Sequence, residues 1–370
     1  MNCIHFGKCG ACDLYQLTYI DALSLKEKRL KELLEPFYKD KIEIFSSPKS
    51  NHRARGEFRV WHKDKKAFYA LTNLTKDGIE IIKECPKLLE PIQRVWTPLL
   101  EEINKDKILK EKLFSVEFLS GLSGEVLITL IYHKRLDDSW KEAAKELEES
   151  LGSFIIGRAK KQKEIISRDY INEKIEIDRE YFYRYFEGGF TQPNPYINQK
   201  MIKWAKDIVK EIKEKDDFLE LYCGLGNFTI PLSFEFKKVL ATEVSKTSIK
   251  NAKINKELNG AFNIEFVRLN AAETYEALNR KREFNRLKGI NLEEFNFSTI
   301  LVDPPRAGLD SSSLELVKQI DNIIYISCNP LSLKEDLKEL TKTHKIKRVA
   351  MFDQFPYTHH IESGVYLERI

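Results

Sequence analysis

The feature that most constrains the fold is a regular alternation of strand-like and helix-like segments in the C-terminal half of the chain. Short apolar runs suited to buried strands, such as 217–222, 297–302 and 323–327, alternate with segments suited to helices. Parallel strands need long crossover connections, which helices usually supply. We therefore predict a doubly wound, mainly parallel α/β domain over residues 189–370, with its boundary at the pair Gly188-Gly189.

Two smaller units are predicted upstream of that domain. Residues 41–188 contain several strand candidates but only two helical segments. Runs of strands with few crossovers are typical of antiparallel sheets, so this region is predicted to form a central α+β domain. Residues 1–40 begin with a cysteine-rich loop and continue as a helical pattern.

The composition excludes some classes of protein and leaves others open. The chain has 61 Lys and Arg against 57 Asp and Glu, a net charge of +4. This charge is too small to indicate nucleic-acid binding by itself, so any basic surface must be local. No apolar run is long enough for a membrane span, and residues after Met1 do not resemble a signal peptide. We expect a cytoplasmic protein without a disulfide framework.

A glycine loop follows the strand 217–222 and suits the binding of a nucleoside. Residues 223–228 are Cys-Gly-Leu-Gly-Asn-Phe, and glycines let a backbone approach a ligand closely at the mouth of a sheet. Thr229 stands where a dinucleotide fingerprint has its third glycine. Glu243, at the end of the next strand, is a candidate acceptor for both ribose hydroxyls. The combination favours S-adenosylmethionine over NAD, with a plain tight turn as the alternative.

Two further strand ends carry rigid or reactive groups. The strand 297–302 ends in Asp303 and two prolines, which stiffen the backbone and direct the carboxylate to the strand mouth. The strand 323–327 ends at Cys328. A thiol in this position is poorly placed for packing alone and well placed to attack a substrate. Four motif residues are thus predicted to converge on one edge of the sheet: Gly226, Glu243, Asp303 and Cys328.

The segment before the last strand is polar and aromatic. Glu362 follows it, and the segment contains the neighbouring residues His359 and His360. A pair of histidines suggests a metal site, but no third ligand at helical spacing accompanies them. We therefore do not predict a metal ion at this pair.

Five motifs together resemble RNA 5-methyluridine methyltransferases. They occur in the family's order and span nearly the whole chain: Phe190–Asn194, Leu219–Gly224, Asp303–Gly308, Ser327–Pro330 and the Glu362 segment. Residues 282–286 and 352–360 resemble the tRNA (uracil-5-)-methyltransferase branch. That branch modifies the T-loop uridine at position 54 of tRNA and, in some bacteria, the equivalent uridine of tmRNA.

The resemblance implies a fold, a reaction and a set of site residues. The expected fold is a Rossmann-like class I methyltransferase domain that uses S-adenosylmethionine. Cys328 is expected to attack C6 of uracil, so that C5 attacks the methyl group, and Glu362 is expected to accept the C5 proton afterwards. The expected cofactor-site residues are Gln192, Tyr222, Asn227, Glu243 and Asp303.

A basic strand is the candidate surface for RNA. Alternation along residues 52–63 places Arg53, Arg55 and Arg59 on one face, with Phe58 on the other. Such a face suits contact with phosphates of a tRNA T-arm, and an ordinary solvated strand face is the alternative. The target base must leave its stack to enter a pocket.

The N-terminal cysteines are candidate metal ligands. Five and two residues separate Cys3, Cys9 and Cys12, and Cys85 follows in the central domain. This spacing resembles the [4Fe–4S] site of the ribosomal branch of the same family, with zinc or free thiols as alternatives. We expect the group to be structural and to tie the N-terminal loop to the central domain. Cys223 is expected to be buried and inert.

Three other functions compete with tRNA methylation. The same chemistry on a uridine of 23S ribosomal RNA is the main alternative. A non-catalytic RNA-binding protein would not need Cys328 and Glu362. An amino-group methyltransferase would have an aromatic residue after Asp303-Pro304-Pro305, where this chain has Arg306. We expect a monomer that acts without a membrane.

Overall fold

The computed structural model describes every residue from Met1 to Ile370 and contains two large sheets. The N-terminal and central elements are α1 (Tyr19–Leu34), β1 (Glu43–Phe45), β2 (Arg55–Lys63), β3 (Lys66–Thr72), β4 (Ile79–Ile81), α2 (Glu90–Lys105), α3 (Lys107–Lys110), β5 (Leu113–Ser120), β6 (Val126–Tyr132), α4 (Asp138–Leu151), β7 (Phe154–Ala159), β8 (Gln162–Ile165), β9 (Tyr170–Glu176) and β10 (Glu180–Phe186).

The C-terminal elements alternate between helices and strands. They are α5 (Pro195–Glu211), β11 (Asp217–Leu221), α6 (Thr229–Ser233), β12 (Val239–Thr242), α7 (Lys246–Asn259), β13 (Ile264–Val267), α8 (Ala271–Leu278), β14 (Phe297–Val302), α9 (Ser311–Val317), β15 (Asn322–Ser327), α10 (Pro330–Leu340), β16 (His344–Phe352) and β17 (Glu362–Arg369). Two 3₁₀ turns, Asn285–Leu287 and Leu292–Glu294, precede β14.

The C-terminal sheet has eight strands in the order β1-β16-β17-β15-β14-β11-β12-β13. Every neighbouring pair is parallel except the two pairs that β17 makes with β15 and β16. All residues of β11 and β15 are buried, as expected for strands covered on both faces. The predicted doubly wound, mainly parallel α/β fold is confirmed.

Helices cover both faces of this sheet and produce two separate cores. On one face, α5 contributes buried residues such as Ile202, Trp204 and Ile208. On the other face, Leu30 and Leu34 of α1 share a core with residues of α9 and α10. The two layers hold the strands from both sides, so the positions of the strand ends are set by packing along the whole sheet.

The first helix packs against the C-terminal sheet and the first strand pairs within it, whereas the sequence predicts both for separate upstream units. β1 pairs in parallel with β16, with Glu43 opposite Ala350 and Phe45 opposite Phe352. The boundary predicted at residue 40 therefore differs from the structure. A strand of three residues carries no periodicity of its own, and its partner lies about three hundred residues further along the chain.

The central sheet has seven strands in the order β4-β3-β2-β5-β6-β7-β8. It is antiparallel except for β6 and β7, which α4 connects as a parallel pair. One face packs against α2 and α4 through a core that includes Phe58, Trp96 and Trp140. The side chains of β2 that point away from this core include Glu57 and Arg59, both exposed.

The hairpin β9–β10 joins the central domain to the C-terminal domain. Asn255 and Asn259 of α7 hydrogen-bond the open edge of β10, accepting from Arg184 N at 2.8 Å and Phe182 N at 2.9 Å. The ammonium group of Lys206, on α5, donates to Tyr181 Oη at 2.8 Å and is itself buried. The hairpin thus packs on the C-terminal domain, although its residues precede the predicted boundary at 188.

None of the helices combines the length and the apolar composition that a membrane-spanning helix requires.

Candidate active site

The predicted site residues surround one large cavity at the carboxyl ends of the parallel strands. The cavity has a volume of about 1210 Å³ and lies between the C-terminal sheet and the central sheet. The residues that follow β11, β12, β14 and β15 all contribute to its wall, as the parallel topology requires. Among the residues lining it are every cofactor-site and catalytic residue predicted above: Gln192, Tyr222, Asn227, Glu243, Asp303, Cys328 and Glu362.

The glycine loop after β11 presents bare backbone to this cavity. Tyr222, Gly224 and Gly226 all have positive φ, at 61°, 55° and 86°. A Cβ on Gly224 would meet no atom within 4 Å, so the space in front of it is open. A Cβ on Gly226 would approach Phe266 to 3.0 Å. The first glycine therefore leaves room for a ligand, and the second is required by packing.

Glu243 is oriented toward the glycine loop by two backbone groups. Its carboxylate accepts hydrogen bonds from Gly224 N at 3.2 Å and from Ser245 N at 2.8 Å. These bonds hold the side chain at the cavity wall, beside the open space in front of Gly224. A fixed carboxylate there suits the cis-diol of a ribose, and the residues present fit an adenosine moiety.

The amide side chains of Asn227 and Gln192, both predicted for the cofactor site, form hydrogen bonds with other side chains of the protein. Asn227 exchanges two hydrogen bonds of 2.8 Å with Asn198 of α5. Gln192 Oε1 accepts from Gln354 Nε2 at 2.7 Å. The segment before α5 and the loop before β17 are thereby joined at the cavity wall.

The antiparallel strand β17 brings Glu362 to Cys328. Ser327 and Ser363 are opposite each other in the ladder of β15 and β17. The next position along the ladder therefore places Cys328 beside Glu362, the first residue of β17. Glu362, 34 positions after Cys328 in the sequence, becomes a direct neighbour of the thiol because β17 is antiparallel to β15 and β16.

Buried carboxyl groups make the site strongly acidic. Burial raises the pKa of Asp303, and burial together with the charge of Asp303 raises the pKa of Glu362 well above its usual range. The two groups lie close enough to titrate as a pair. A raised pKa makes each carboxylate, once ionised, a stronger base than an ordinary surface carboxylate.

The pKa of the Cys328 thiol depends on the same buried carboxyl groups. Burial raises its pKa to about 11, the charges of Glu362 and Asp303 add to the increase, and Arg306 opposes it. Asn329 connects the two loops, because its side-chain amide donates to Arg306 O at 2.9 Å while Oδ1 accepts from Leu331 N. Positive charge brought into the cavity would favour the thiolate.

Glu220 is a site residue that the sequence analysis did not identify. It lies on β11, is 1% exposed and lines the cavity. Its Oε2 has no hydrogen-bond partner, and burial together with the charge of Asp303 raises its pKa well above the usual range. The sequence offered one signal, a carboxylate inside an otherwise apolar strand.

The predicted basic surface divides into an inner part and an outer part. Arg53 and Arg55 line the cavity but donate to backbone carbonyls, Arg53 to Arg55 O at 2.9 Å and Arg55 to Gly189 O at 2.7 Å. Arg59 is exposed, with its guanidinium 5.4 Å from the ring centroid of Phe114. Phe114 in turn stacks on His133, with centroids 4.4 Å apart.

The sequence analysis did not identify the ring pair Phe114 and His133. Phe114 lies at an irregularity between Leu113 and Ser115, where the pairing of β5 with β6 shifts by one residue. A shift of this kind changes the face to which a strand residue points, and simple alternation does not reveal it.

The four candidate metal-binding cysteines surround a second, smaller pocket. Cys3, Cys9, Cys12 and Cys85 all line a space of about 20 Å³ between the N-terminal loop and the central sheet. Burial raises the pKa of the thiols of Cys3, Cys9 and Cys85. No group of three or more His, Cys, Asp or Glu residues has an arrangement that could hold a metal ion. The tertiary structure thus gathers the four thiols without bringing them into ligand geometry.

Comparison with known proteins gives a consistent result. A family model described as tRNA (Uracil-5-)-methyltransferase matches residues 18–370. Proteins named tRNA/tmRNA (uracil-C(5))-methyltransferase from a Sulfurovum species and a Nitratiruptor species are 53% and 50% identical, covering 100% of both chains in each case.

A solved structure has the same fold. It is the Pyrococcus abyssi tRNA (uracil-54, C5)-methyltransferase in complex with S-adenosyl-L-homocysteine, with a TM-score of 0.74 and 23% identity. The match covers 97% of this chain and 86% of that chain.

We expect Asp303→Asn to lower the pKa of Cys328, because the charge of Asp303 contributes to raising it. At about pH 9, alkylation of Cys328 by iodoacetamide should accelerate roughly three- to tenfold, as measured on its peptide by mass spectrometry. Asp321→Asn, a change beside the opposite end of β15, is the matched control. An unchanged or slower reaction of Asp303→Asn would contradict this account of the thiol.

Proposed function

The chain belongs to the tRNA (uracil-5-)-methyltransferase family, and we propose that it methylates C5 of the T-loop uridine of tRNA and of tmRNA. The observation that carries the proposal is the convergence of Cys328 and Glu362 with the glycine loop and Glu243 around one cavity. The relatives at 53% and 50% identity are named for this activity, which supports the choice of substrate.

S-adenosylmethionine is the proposed methyl donor and supplies an electrophilic methyl group on a sulfonium. Glu243 would accept from the ribose hydroxyls, and the open space before Gly224 would admit the nucleoside. Gln192, Tyr222, Asn227 and Asp303 line the same cavity and are proposed to complete the site. The acidic wall suits a positively charged ligand, since Coulomb attraction is strong where water is excluded.

In the first chemical step, Cys328 Sγ adds to C6 of the uracil. The thiol proton is lost to solvent or to a neighbouring carboxylate, and the C5=C6 electron pair moves onto the ring as an enolate. C5 would then form a bond to the methyl group while the bond from that methyl group to the sulfonium sulfur breaks, which leaves a neutral thioether, S-adenosylhomocysteine. Because the pKa of Cys328 is raised to about 11 in the free protein, bound positive charge near the thiol should assist its ionisation.

In the second step, Glu362 removes the proton that remains on C5. The electrons of that C–H bond reform C5=C6, and the bond from C6 to Sγ breaks, which releases 5-methyluridine and regenerates Cys328. The raised pKa of the Glu362 carboxyl suits this role, because a stronger base removes a carbon-bound proton faster.

The central sheet is proposed to bind the RNA. Its basic residues Arg53 and Arg55 line the cavity beside the catalytic groups, and Arg59 with Phe114 extends the surface outward. Phosphates would contact the arginines, while the half-buried ring of Phe114 could stack on an unpaired base. The enzyme is further proposed to act as a monomer in the cytoplasm.

The four N-terminal cysteines are proposed to hold a [4Fe–4S] cluster, with zinc as the alternative. The support is their common pocket and the chemistry of four thiolates, which suits either group. Adopting ligand geometry would require the segment around Cys3, Cys9 and Cys12 to close on Cys85. The cluster would be structural and would have no part in the reaction.

Anaerobically purified protein should contain about four iron atoms per chain and show broad visible absorption, both lost in Cys12→Ala. One zinc per chain without iron would favour the alternative. The absence of both metals would reject the proposal and leave the cysteines as free thiols.

Cys328→Ala should abolish both methylation and covalent adduct formation with a T-arm RNA. Glu362→Gln should still form the adduct but release it roughly 10²- to 10⁴-fold more slowly, because only the proton removal is impaired. Denaturing gels and methyl incorporation measure the two steps. Glu368→Gln, on the same strand but exposed, is the matched control. Normal turnover of Cys328→Ala would exclude the proposed nucleophile.

Double replacement of Arg53 and Arg55 by Ala should weaken T-arm binding about tenfold or more. The slope of log affinity against log salt should fall by about two, since two phosphate contacts are lost. Fluorescence anisotropy across a salt series provides the measurement. The control is Lys338→Ala with Lys342→Ala, two exposed changes near the end of α10. Equal affinity of mutant and wild type at low and high salt would reject the RNA contact.

Mapping 5-methyluridine in RNA from a deletion strain separates tRNA from ribosomal RNA as the substrate. Loss of the modification from the T-loop of tRNA and tmRNA is expected, and restoration should require the intact gene. Loss from 23S ribosomal RNA alone would replace the present proposal by the ribosomal alternative.

A further inference from the structure

The loop between β16 and β17 connects the N-terminal segment to the catalytic base. Residues 353–361 form this loop, and Phe355 and His360 from it line the cavity. Glu362 follows immediately as the first residue of β17. The ladder places the Glu362 backbone opposite Phe352 of β16, and the path of the loop leading into it constrains how its carboxylate approaches Cys328.

The first half of this loop has its own anchor in a buried ion pair. Lys26 of α1 donates to Asp353 Oδ1 at 2.7 Å and to Phe355 O at 2.8 Å. The side chains of Lys26 and Asp353 are 3% and 2% exposed. Gln354 lies between Asp353 and Phe355, and its side chain hydrogen-bonds Gln192, a predicted cofactor-site residue.

The second half depends on Tyr357. Its φ is +60°, a strained conformation for a bulky residue, and the side chain is 2% exposed. The residue is held at both ends, because Tyr357 O accepts from Leu14 N at 3.0 Å and Tyr357 Oη accepts from the amino group of Met1 at 2.8 Å. Contacts with the N-terminal segment, residues 1–17, thus maintain a backbone conformation that would otherwise be unfavourable.

The same segment makes further contacts with this half of the loop. Asp13 Oδ1 accepts from His359 N at 3.1 Å. The ring of Tyr357 packs with Phe6 of this segment and with Tyr19 at the start of α1, at centroid distances of 5.6 and 5.8 Å. Cys12 belongs to the same small hydrophobic cluster and also lines the four-cysteine pocket.

On its other side the N-terminal segment is attached to the central sheet. Gly10 N donates to Thr72 O at 3.0 Å, and Leu74 N donates to Lys8 O at 2.7 Å. Lys87 Nζ donates to Ala11 O at 2.9 Å and lies 3.4 Å from Cys12 Sγ. The segment is therefore a physical connection between the central sheet and the loop that precedes Glu362.

We propose that Tyr357 is a positioning residue through which the N-terminal segment holds Glu362 in place for removal of the C5 proton. The assignment rests on the proposed function of Glu362. Lys26 anchors the first half of the loop, residues 353–355, independently of the N-terminal segment. Loss of the Tyr357 contacts should therefore displace the second half of the loop and leave the cofactor contacts intact.

The kinetic test compares Tyr357→Ala, Tyr357→Phe and Asp13→Ala with the wild type. Tyr357→Ala should slow release of the covalent RNA adduct about tenfold to hundredfold, because a small displacement of a catalytic group has a large effect on rate. Affinity for S-adenosylmethionine, measured by calorimetry, should stay within about twofold of wild type. Tyr357→Phe keeps the ring and should restore most of the rate.

Asp13→Ala removes only an exposed contact to the loop, so it tests the positioning role of the N-terminal segment even if Tyr357→Ala fails to fold. It should slow adduct release, whereas Asp21→Ala, an exposed change at the start of α1, should not. Wild-type adduct lifetimes in Tyr357→Ala, or in Asp13→Ala where Tyr357→Ala does not fold, would overturn the proposal. Equal losses of cofactor affinity and release rate would overturn it as well, because they indicate a general structural role.

Hydrogen exchange separates failure of this inference from failure of the proposed function. Amides of residues 357–361 should exchange faster in Tyr357→Ala and Asp13→Ala, while those of residues 353–355 should not change. Unchanged exchange throughout the loop would overturn the positioning role whatever the substrate. A wild type that forms neither adduct nor 5-methyluridine would instead reject the proposed function.

Discussion

The parallel pairing of β12, β11, β14 and β15 is the constraint on which the rest of the structure depends. Each strand returns through a crossover to the same direction, so all four end at the same edge of the sheet. The glycine loop, Glu243, Asp303 and Cys328 become neighbours for this reason alone. Helices on both faces bury these strands, and local distortion of any strand end would disturb the packing of two cores.

The reversal of one strand and the concentration of acid groups make that edge reactive. β17 runs against β15 and so delivers Glu362 to the thiol. Burying Glu220, Asp303 and Glu362 around one cavity raises the pKa of each carboxyl group and of Cys328. Such an arrangement is costly for a free protein, since buried like charges repel. A cation in the cavity would offset this cost, as the sulfonium of the proposed methyl donor would.

The N-terminal segment and the hairpin β9–β10 connect the two sheets by different means. The hairpin is held by Asn255, Asn259 and Lys206, whose polar groups satisfy the open edge of β10 and the Tyr181 hydroxyl. The N-terminal segment reaches from β3 to Tyr357. Together they fix the central sheet against the C-terminal domain, so that Arg53 and Arg55 line the same cavity as Cys328.

The sequence by itself determined the doubly wound fold, the strand ends that carry the motifs and the predicted site residues that line the cavity. Those features depend on local periodicity and on short motifs that resemble a known family, and each can be recognised within a short stretch of chain. Only the tertiary structure decided that β1 joins β16, that Phe114 turns to the Arg59 face at a register shift, that Glu220 lacks a partner, and that Tyr357 is held by Met1 and Leu14. The physical reason is that each depends on contacts between distant segments, and those contacts form only when the two sheets and the N-terminal segment pack together.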